Sequence, residues 1–339
     1  LHLRMKPSLL LTTSLLLLLL SCRDDFTLEA DYQDIPVAYA FLSVDDDRHF
    51  VRVQKAFLES GGDANANAAI ADSLYYADNE ATVLIQNLST LETVELERVN
   101  GEQFNLNRED GVFATSPNIL YTATDAELRL DPGQSVKLSI ERPGLETATA
   151  ETVMLQPIEI VRPNEQVRID DYRRPLIMRW QKGDNAQVFD VRIYFNIREL
   201  FPDNASMNRD RRLEWVLNDT YVPSSDRVSG DNVSFEASPE AFYQFLGSNL
   251  EPDSRIVRRF VDFDVRISAA GQEVLDRRNL ENANAGITSS QSLPRYTNLI
   301  GGIGLITSST STLKEGIFFD EGSLDSLAAG QYTRDLGFR

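Results

Sequence analysis

The chain contains a single cysteine, Cys22, and only two histidines among its 339 residues. One cysteine cannot form a disulfide within the chain, so no disulfide framework stabilises the fold. A Ser-His-Asp site needs a histidine to take the serine proton, and zinc sites built from cysteine and histidine need three or four such ligands. His2 precedes a hydrophobic leader, which leaves His49 as the one histidine of the remaining chain. A zinc site of that kind is therefore excluded. The chain also lacks the G-x-S-x-G motif of serine hydrolases, and His49, beside Arg48 in a charged turn, is predicted to be solvated at the surface rather than catalytic.

Positive charge is also scarce. The chain has 33 Lys and Arg residues against 52 Asp and Glu residues, which gives a formal net charge of −19. Such an acidic surface is repelled by the phosphates of nucleic acids and by anionic lipid surfaces, so we expect no nucleic-acid partner. The hydrophobic fraction of 42% and the charged fraction of 25% are typical of a folded globular protein. A chain of this length is expected to form about two domains.

Long apolar runs are absent with one exception near the N-terminus. Residues 9–20 are almost entirely leucine. A helix of this length is too short to cross the hydrocarbon core of a membrane, which is roughly 30 Å thick. Arg4 and Lys6 precede the run, as basic residues precede the apolar part of a secretory signal peptide. We therefore predict a lipoprotein signal peptide over residues 1–21.

The run ends in the tetrapeptide Leu-Leu-Ser-Cys, which resembles the bacterial lipobox. The resemblance implies that the signal peptide is removed before Cys22. It also implies that the Cys22 thiol receives a diacylglyceryl group and that the new amino group is acylated with a fatty acid such as palmitate. The alternative is a chance cysteine behind an ordinary signal peptide. Cys22 is thus the candidate lipidation residue, and we predict that the lipid on Cys22 attaches the protein to a membrane.

An acidic tether is predicted over residues 22–34, because this stretch shows neither the helical nor the strand period. Asp24 and Asp25 follow the cysteine closely and resemble the surface-export signal of Bacteroidetes-type lipoproteins. That resemblance implies an outer-membrane protein that faces the medium at the cell surface. The alternative interpretation is that both aspartates belong to a plain solvated linker.

Alternating apolar and polar residues predict a mainly β fold with two β-sandwich modules, similar to immunoglobulin or fibronectin domains, and one or two short helices. The first module is predicted over residues 35–155. In its first strand Val37, Tyr39 and Phe41 share one face. The predicted strands of this module cover residues 36–44, 50–57, 81–86, 93–99, 126–130 and 136–140. The cysteine and tryptophan landmarks of antibody domains are absent, so the sandwich topology stays open.

The second β-rich module is predicted over residues 169–310, after an extended connector over residues 156–168 that contains prolines. Its two clearest strands place apolar side chains on one face; these are Phe189, Val191, Ile193, Phe195 and Ile197 in one strand, and Val261, Phe263, Val265 and Ile267 in the other. A neighbouring strand is predicted over residues 176–181, and its Trp180 is predicted to pack in the core. A helix over residues 239–247 is predicted from its capping serine and first-turn proline. Residues 311–339 form a C-terminal segment.

Two stretches have ligand-like composition without a complete motif. Residues 301–306 are rich in glycine but lack the following helix or basic residue of a phosphate loop, so we predict a glycine strand or turn packed closely on its neighbour. Residues 63–67 begin like a calcium loop, but Ala68 and Leu74 occupy the positions where an EF-hand needs glycine and glutamate. Calcium binding there or at residues 45–47 stays an open alternative to solvated acidic loops. The sequence yields no catalytic, cofactor-binding or metal-ligating residue.

Residues 36–42, 51–58 and 72–76 resemble a family of uncharacterised Bacteroidetes-type lipoproteins with a domain of unknown function, and residues 296–305 are similar to its ending. The resemblance implies an outer-membrane lipoprotein, and such lipoproteins often accompany TonB-dependent transporters. The family has no motif with a known chemical role, so the resemblance assigns no further site residue.

Three function classes follow from these observations. The leading hypothesis is a non-enzymatic, lipid-anchored envelope protein that binds a ligand or serves a TonB-dependent transporter. The alternatives are a structural or adhesion protein of the envelope and a carbohydrate-active enzyme that uses two carboxylates. Binding is expected at loops or at a cleft between modules. Exposed aromatic residues beside a cleft would favour a glycan, and two carboxylates about 5 to 10 Å apart in a cleft would favour the enzyme.

Overall fold

The structure is a computed structural model that describes residues 34–56, 64–284 and 295–339. The predicted signal peptide, the predicted lipidation residue Cys22 and the acidic residues Asp24 and Asp25 lie outside these ranges, and so does Asp63. Within them the chain is mainly β, as predicted, and facing sheets enclose two large hydrophobic cores. Among the helices of these ranges, none combines the length and the apolar composition that a membrane span requires.

Seventeen strands lie in the described ranges. Those of the N-terminal part are β1 (Pro36–Leu42), β2 (Arg48–Lys55), β3 (Thr82–Asn87), β4 (Thr93–Glu95), β5 (Glu97–Asn100), β6 (Ile119–Thr124), β7 (Ser135–Glu141) and β8 (Ala148–Val153). Those that follow are β9 (Glu159–Arg162), β10 (Gln166–Val167), β11 (Leu176–Gln181), β12 (Val188–Leu200), β13 (Arg209–Tyr221), β14 (Val228–Ser229), β15 (Asn232–Ala237), β16 (Val257–Ala270) and β17 (Ile303–Phe319).

Six α-helices are described, more than the one or two that the sequence predicts, and three of them have only four or five residues. They are α1 (Ala64–Ala68), α2 (Ala71–Leu74), α3 (Asp125–Leu128), α4 (Pro239–Asn249), α5 (Gln272–Asn284) and α6 (Glu321–Ala329). Short 3-10 helices occur at Gly101–Phe104, Ala205–Met207 and Ser225–Arg227. The helix α5 is long but was not predicted, because its sequence is largely polar and shows no continuous apolar stripe.

The first core lies between a sheet that contains β5, β6, β2 and β1 and a sheet in the order β4, β3, β7, β8. Ala38, Ala40 and Leu42 point into this core, because alternate residues of a strand face opposite ways. Tyr39 and Phe41 share one face, as the alternation predicts. That face is the outer one, where the two residues are 40% and 51% exposed.

One long strand, β17, joins the two halves of the molecule. Its first part pairs in parallel with β1, from Val37 opposite Ile303 to Leu42 opposite Ser308. Its second part pairs antiparallel with β16, up to Phe263 opposite Ile317. A continuous path of strands β13-β12-β16-β17-β1-β2-β6-β5 results, with β10 attached to the end of β17. The predicted boundary between residues 310 and 311 therefore falls inside a single strand.

Gly304 explains why the start of β17 is rich in glycine. A Cβ atom on Gly304 would overlap the carbonyl oxygen of Ala38 in the paired strand β1. Only glycine lets the two backbones approach this closely at that point. The prediction of a glycine-rich segment packed tightly on its neighbour is confirmed.

The prediction of an extended, unpaired connector over residues 156–168 is wrong. This stretch contains β9, which pairs with β11, and β10, which pairs with β17. The two prolines, Pro157 and Pro163, flank β9 and do not lie within it, so every residue of β9 keeps its N–H donor. The segment is thus part of the second module's sheets.

The second core lies between the strands β13, β12, β16 and β17 and the sheet β14-β15-β11-β9, with α4 packed into it. The five apolar side chains predicted to share one face of β12 are all buried. Trp180 is buried as predicted, with its ring centroid 5.2 Å from that of Phe189. The Ser238 hydroxyl oxygen accepts the Ala241 N–H at the N-terminus of α4, which confirms the predicted cap; the helix ends at Asn249, two residues beyond the prediction.

The inward orientation predicted for Val261 is wrong. Phe263, Val265 and Ile267 are buried, but Val261 is 42% exposed. The register of β16 against β12 shifts at this point, with Asp262 opposite Asn196 and Phe260 opposite Ile197. Val261 is therefore an extra residue in the ladder, as in a β-bulge, and everything N-terminal to it changes face.

A strand predicted over residues 126–130 is also wrong, because a helical turn, α3, occupies residues 125–128. Thr124 and Glu127 form a reciprocal capping box, in which the Glu127 carboxylate accepts the Thr124 backbone N–H. This local pattern favours a helix start over a strand. The strands β6 and β8 and the helix α5 were not predicted from the sequence.

Candidate functional site

A groove of about 460 Å³ opens where β9 and β10 meet the start of β11. It lies on the segment predicted as a connector and on the outer face of the second module's smaller sheet. Its lining residues include Arg162, Pro163, Asn164, Gln166, Arg168, Pro175, Ile177 and Arg179. We call this feature the arginine groove, since three of its lining side chains carry a guanidinium group.

The alternation of β11 decides which side chains face the groove. Met178 and Trp180 are fully buried in the core, so Ile177 and Arg179 between and beside them point outward. Ile177 is 41% exposed and supplies an apolar floor next to the charged groups.

A register shift in β9 places a second arginine directly beside the first. Ile160 pairs with Trp180, whereas Arg162 pairs with Arg179, so Val161 is an extra residue between them. The shift brings Arg162 to the same outer face as Arg179. Residues directly opposite in an antiparallel pair have Cβ atoms about 4.5–5.5 Å apart, and like charges at this distance destabilise the sheet.

Neither of these two arginines has a carboxylate within 4.0 Å in the part of the chain that the structure describes. The Nε of Arg179 donates a hydrogen bond of 3.3 Å to the hydroxyl oxygen of Ser234 on β15, a neutral partner. Their guanidinium charges are therefore compensated by solvent alone.

Arg168, at the other end of the groove, behaves differently. Its Nε and Nη2 donate to the two carboxylate oxygens of Asp170 at 2.6 and 2.9 Å. These hydrogen bonds raise the pKa of Arg168 and lower the pKa of the Asp170 carboxyl. A second carboxylate, Asp320 at the start of α6, lies 4.0 Å from the Arg168 Nε. The contrast identifies Arg162 and Arg179 as the uncompensated pair.

His49 is not at the surface, contrary to the prediction. It is 1% exposed and lies on the core face of β2 with Val51 and Val53, because the strand's alternation extends back to it. Its Nε2 is 3.3 Å from a carboxylate oxygen of Asp125, and its Nδ1 has no hydrogen-bond partner among the described residues. The nearby Thr122 hydroxyl donates to the His49 backbone carbonyl and not to its ring.

In the acidic turn at residues 45–47, Asp45 has a structural role. One carboxylate oxygen of Asp45 accepts the Thr310 hydroxyl at 2.7 Å and so ties the β1–β2 turn to β17. Within the described ranges no group of three or more His, Cys, Asp or Glu side chains is arranged to hold a metal ion. The calcium alternative at residues 63–67 rests in part on Asp63, outside the described residues.

Aromatic residues are exposed on the first module, away from the arginine groove. Phe50 and Phe104 form an edge-to-face pair with centroids 5.4 Å apart, and the Arg48 guanidinium lies 5.2 Å from the Phe104 ring centroid. Tyr39 and Phe41 occupy the same outer face of that sheet. None of these side chains lines the arginine groove.

Of the two unpaired arginines of the groove, the sequence predicts the outward orientation of one, Arg179. The predicted strand over residues 176–181 places Arg179 outward once Trp180 is assigned to the core. Arg162 was hidden, because its position depends on the pairing and the register shift of β9, which no local pattern indicates.

Comparison with protein families assigns the chain. A family described as a domain of unknown function, DUF4249, matches residues 23–315. The chain belongs to the DUF4249 family. This confirms the resemblance to an uncharacterised family that the sequence motifs suggested. Nearly all of the DUF4249 match lies within the two modules, including the whole arginine groove.

Two further comparisons add little to the family assignment. A comparison with curated proteins finds no match to the chain. Among solved structures, the DUF4249 chain aligns with one from a study of host cell surface retention of a 1.5-MDa bacterial ice-binding adhesin. The identity is 7% and the TM-score 0.18, over 86% of this chain and 66% of the other. A likeness at that level carries no argument about fold or function.

Proposed function

We propose that this DUF4249 protein is a non-enzymatic binding protein of the cell envelope, held at the outer membrane by lipid on Cys22. The observation that carries the binding role is the arginine groove, an open recess lined by two arginines that pair on adjacent strands, neither of which has a carboxylate partner among the described residues. A recess with a few convergent polar groups beside an apolar floor is the usual form of a ligand site.

The anchor is supported by the sequence around Cys22. The leucine run, the small residue before the cysteine and the absence of a second long apolar run all match a lipoprotein. Each buried methylene of an acyl chain contributes about 0.8 kcal/mol, so two or three chains together hold a protein durably on a membrane. The acidic tether with Asp24 and Asp25 supports a position at the cell surface.

The surroundings of His49 argue against catalysis by that histidine. In the described chain its ring contacts Asp125 and the hydrophobic core, and a hydroxyl nucleophile does not hydrogen-bond to it. General-base catalysis requires such contact or a single intervening water.

The proposed partner, a TonB-dependent transporter, is supported by the resemblance to lipoproteins that accompany such transporters.

The test of the anchor compares the wild type with the Cys22→Ala variant after growth with a palmitate analogue that can be labelled. We expect label on the wild type, which sediments with the outer membrane, and no label on the variant. Cys22→Ser serves as a matched control, since it keeps a small polar side chain but removes the thiol. Equal labelling of all three proteins would contradict the anchor.

The transporter role is tested by cross-linking on intact cells followed by purification of the lipoprotein. Recovery of one outer-membrane transporter in stoichiometric yield is the expected result. Recovery of surface polymers or structural envelope proteins in its place would favour the structural alternative.

A further inference from the structure

We propose that the arginine groove binds an oxyanion, the carboxylate or phosphate group of a small acidic ligand, between Arg162 and Arg179. This inference rests on the proposed binding role and names the chemical class of the ligand. Arg162 and Arg179 lie directly opposite each other on adjacent paired strands, and both line a groove of about 460 Å³.

The electrostatics of the pair argue for an anionic occupant. Two like charges directly opposite on paired strands repel each other, and such pairs are unfavourable without a counter-charge. The chain as a whole has 52 acidic and 33 basic residues, so carboxylates were abundant as partners. Other arginines of the described modules use them: Arg192 is bound by Asp190 and Glu214, each at 2.6 Å.

Two carboxylates near the groove are paired with other arginines. Asp170 is held in a two-point contact by Arg168. Glu236 lies opposite Ile177 on β15, and its carboxylate is 2.5 Å from Arg227. Both acidic side chains are thus neutralised by other arginines, and the positive charge of Arg162 and Arg179 is left directed at the groove.

The geometry of the guanidinium group suits carboxylate and phosphate oxygens. Arginine presents a planar fork of N–H donors that can bind two oxygens of one group at once. Two such forks on one face can clamp a single oxyanion from two sides. Asn164 and Gln166 also line the groove and can donate to further oxygens, while Ile177 provides contact for an apolar part of the ligand.

The test is calorimetric titration of the purified protein with citrate and with inorganic phosphate, at constant ionic strength kept by sodium chloride. The two anions distinguish a carboxylate site from a phosphate site. We expect saturable binding of at least one anion. Affinity should fall at least tenfold in Arg162→Gln and in Arg179→Gln, and binding should be lost in the double variant. Arg277→Gln, which removes an arginine on α5 paired with Glu281, should bind as the wild type does.

A second measurement separates binding from folding. Because the substitutions relieve repulsion, each single variant should have a melting temperature no lower than that of the wild type in anion-free, low-salt buffer. Added anion should raise the melting temperature of the wild type and not that of the double variant. Absence of any response in the wild type, or equal binding by the double variant, would overturn the proposal. Neither result depends on lipid at Cys22, so a failure of the anchor is detected independently.

Discussion

At the scale of single residues, Glu199 shows how the acidic chain accommodates a charge in its interior. Glu199 is fully buried, and its two carboxylate oxygens accept hydrogen bonds from Arg258 at 2.9 Å and Arg209 at 2.7 Å. Burial by itself raises a carboxyl pKa, but the hydrogen bonds and charges of the two arginines outweigh it, and the pKa of Glu199 is lowered. Arg258 is itself 2% exposed and also donates to the Leu336 carbonyl, which docks the C-terminal segment.

The sign of the pH dependence follows from this lowered pKa. The ionised carboxylate contributes stability at pH values above the ordinary pKa of 4.5, and this contribution is lost as the pH falls through the folded-state value. Glu199→Gln leaves Arg258 buried without its counter-charge, which costs about 3–5 kcal/mol near neutral pH. Urea denaturation at a series of pH values measures the loss, which should shrink as the pH falls below 4.5, the ordinary pKa of the carboxyl.

The control for this prediction is Glu214→Gln. Glu214 also binds an arginine, at 2.6 Å from Arg192, but its side chain is 44% exposed. Solvent screening limits such a pair to about 1 kcal/mol or less. Equal losses in the two variants, or a loss at Glu199 that does not change with pH, would show that the buried ion pair does not stabilise the fold through the charge of Glu199.

Val261 marks the limit of sequence-based prediction at this scale. The period-two pattern of residues 261–267 predicts that all four apolar side chains point inward, and three of them do. The fourth, Val261, points outward because it is itself the extra residue in the β12–β16 ladder. No residue type signals that insertion, because it depends on the partner strand and not on local preference.

At the scale of secondary-structure elements, the parallel pairing of β1 with β17 depends on Gly304. Alanine at this position would put its Cβ into the Ala38 carbonyl oxygen, so the two strands would have to separate locally. We expect Gly304→Ala to cost about 2–4 kcal/mol, in the range of severe backbone and packing changes. Thermal and urea unfolding measure this loss.

Gly111→Ala is the matched control for that substitution. Gly111 has no atom within 4 Å of its hypothetical Cβ and no positive φ, so the change should stay within about 0.5 kcal/mol. A Gly304→Ala variant as stable as Gly111→Ala would mean that the close approach of β1 and β17 is not present in solution.

Elements with strong local patterns were predictable, and elements that depend on distant partners were not. The alternation in β12 and the cap of α4 at Ser238 both reflect local chemistry and both match the structure. The connector prediction was wrong because the two prolines suggested an unpaired chain. Both prolines lie outside β9, and its four residues retain their backbone N–H donors. The strand prediction over residues 126–130 was wrong because the capping box formed by Thr124 and Glu127 favours a helical turn there, despite the strand-like apolar pattern.

At the scale of the whole molecule, β17 links the two cores through one continuous sheet, and the paired connector belongs to the second module. β17 contacts the first core through Ile306 and the second through Ile317 and Phe319. β9 and β10 join the same second module through β11 and β17. The arginine groove exists because of this docking, since Arg162 reaches Arg179 only when β9 is paired.

This dependence explains why the site was only partly predictable. An unpaired connector would leave Arg162 as one of many exposed arginines, with no fixed neighbour. The proposal that Cys22 carries lipid, in contrast, rests on a contiguous motif, and Cys22 lies outside the described residues. A local motif thus supports the proposed anchor, and non-local pairing builds the groove that we propose the protein binds with.

Hydrogen–deuterium exchange over residues 159–168 and 175–179, without anion and with citrate or phosphate, tests the central claim that a paired connector builds an anion-binding groove. Because β9 is an edge strand, we expect slow exchange in the free protein at the β9 amides that are hydrogen-bonded to β11 and faster exchange at its outward amides. At least one of the two anions should slow exchange further in both segments of the wild type and leave the Arg162→Gln/Arg179→Gln double variant unchanged. Rapid exchange at every β9 amide in the free protein would contradict the pairing, and a wild-type pattern that neither anion alters would contradict the groove.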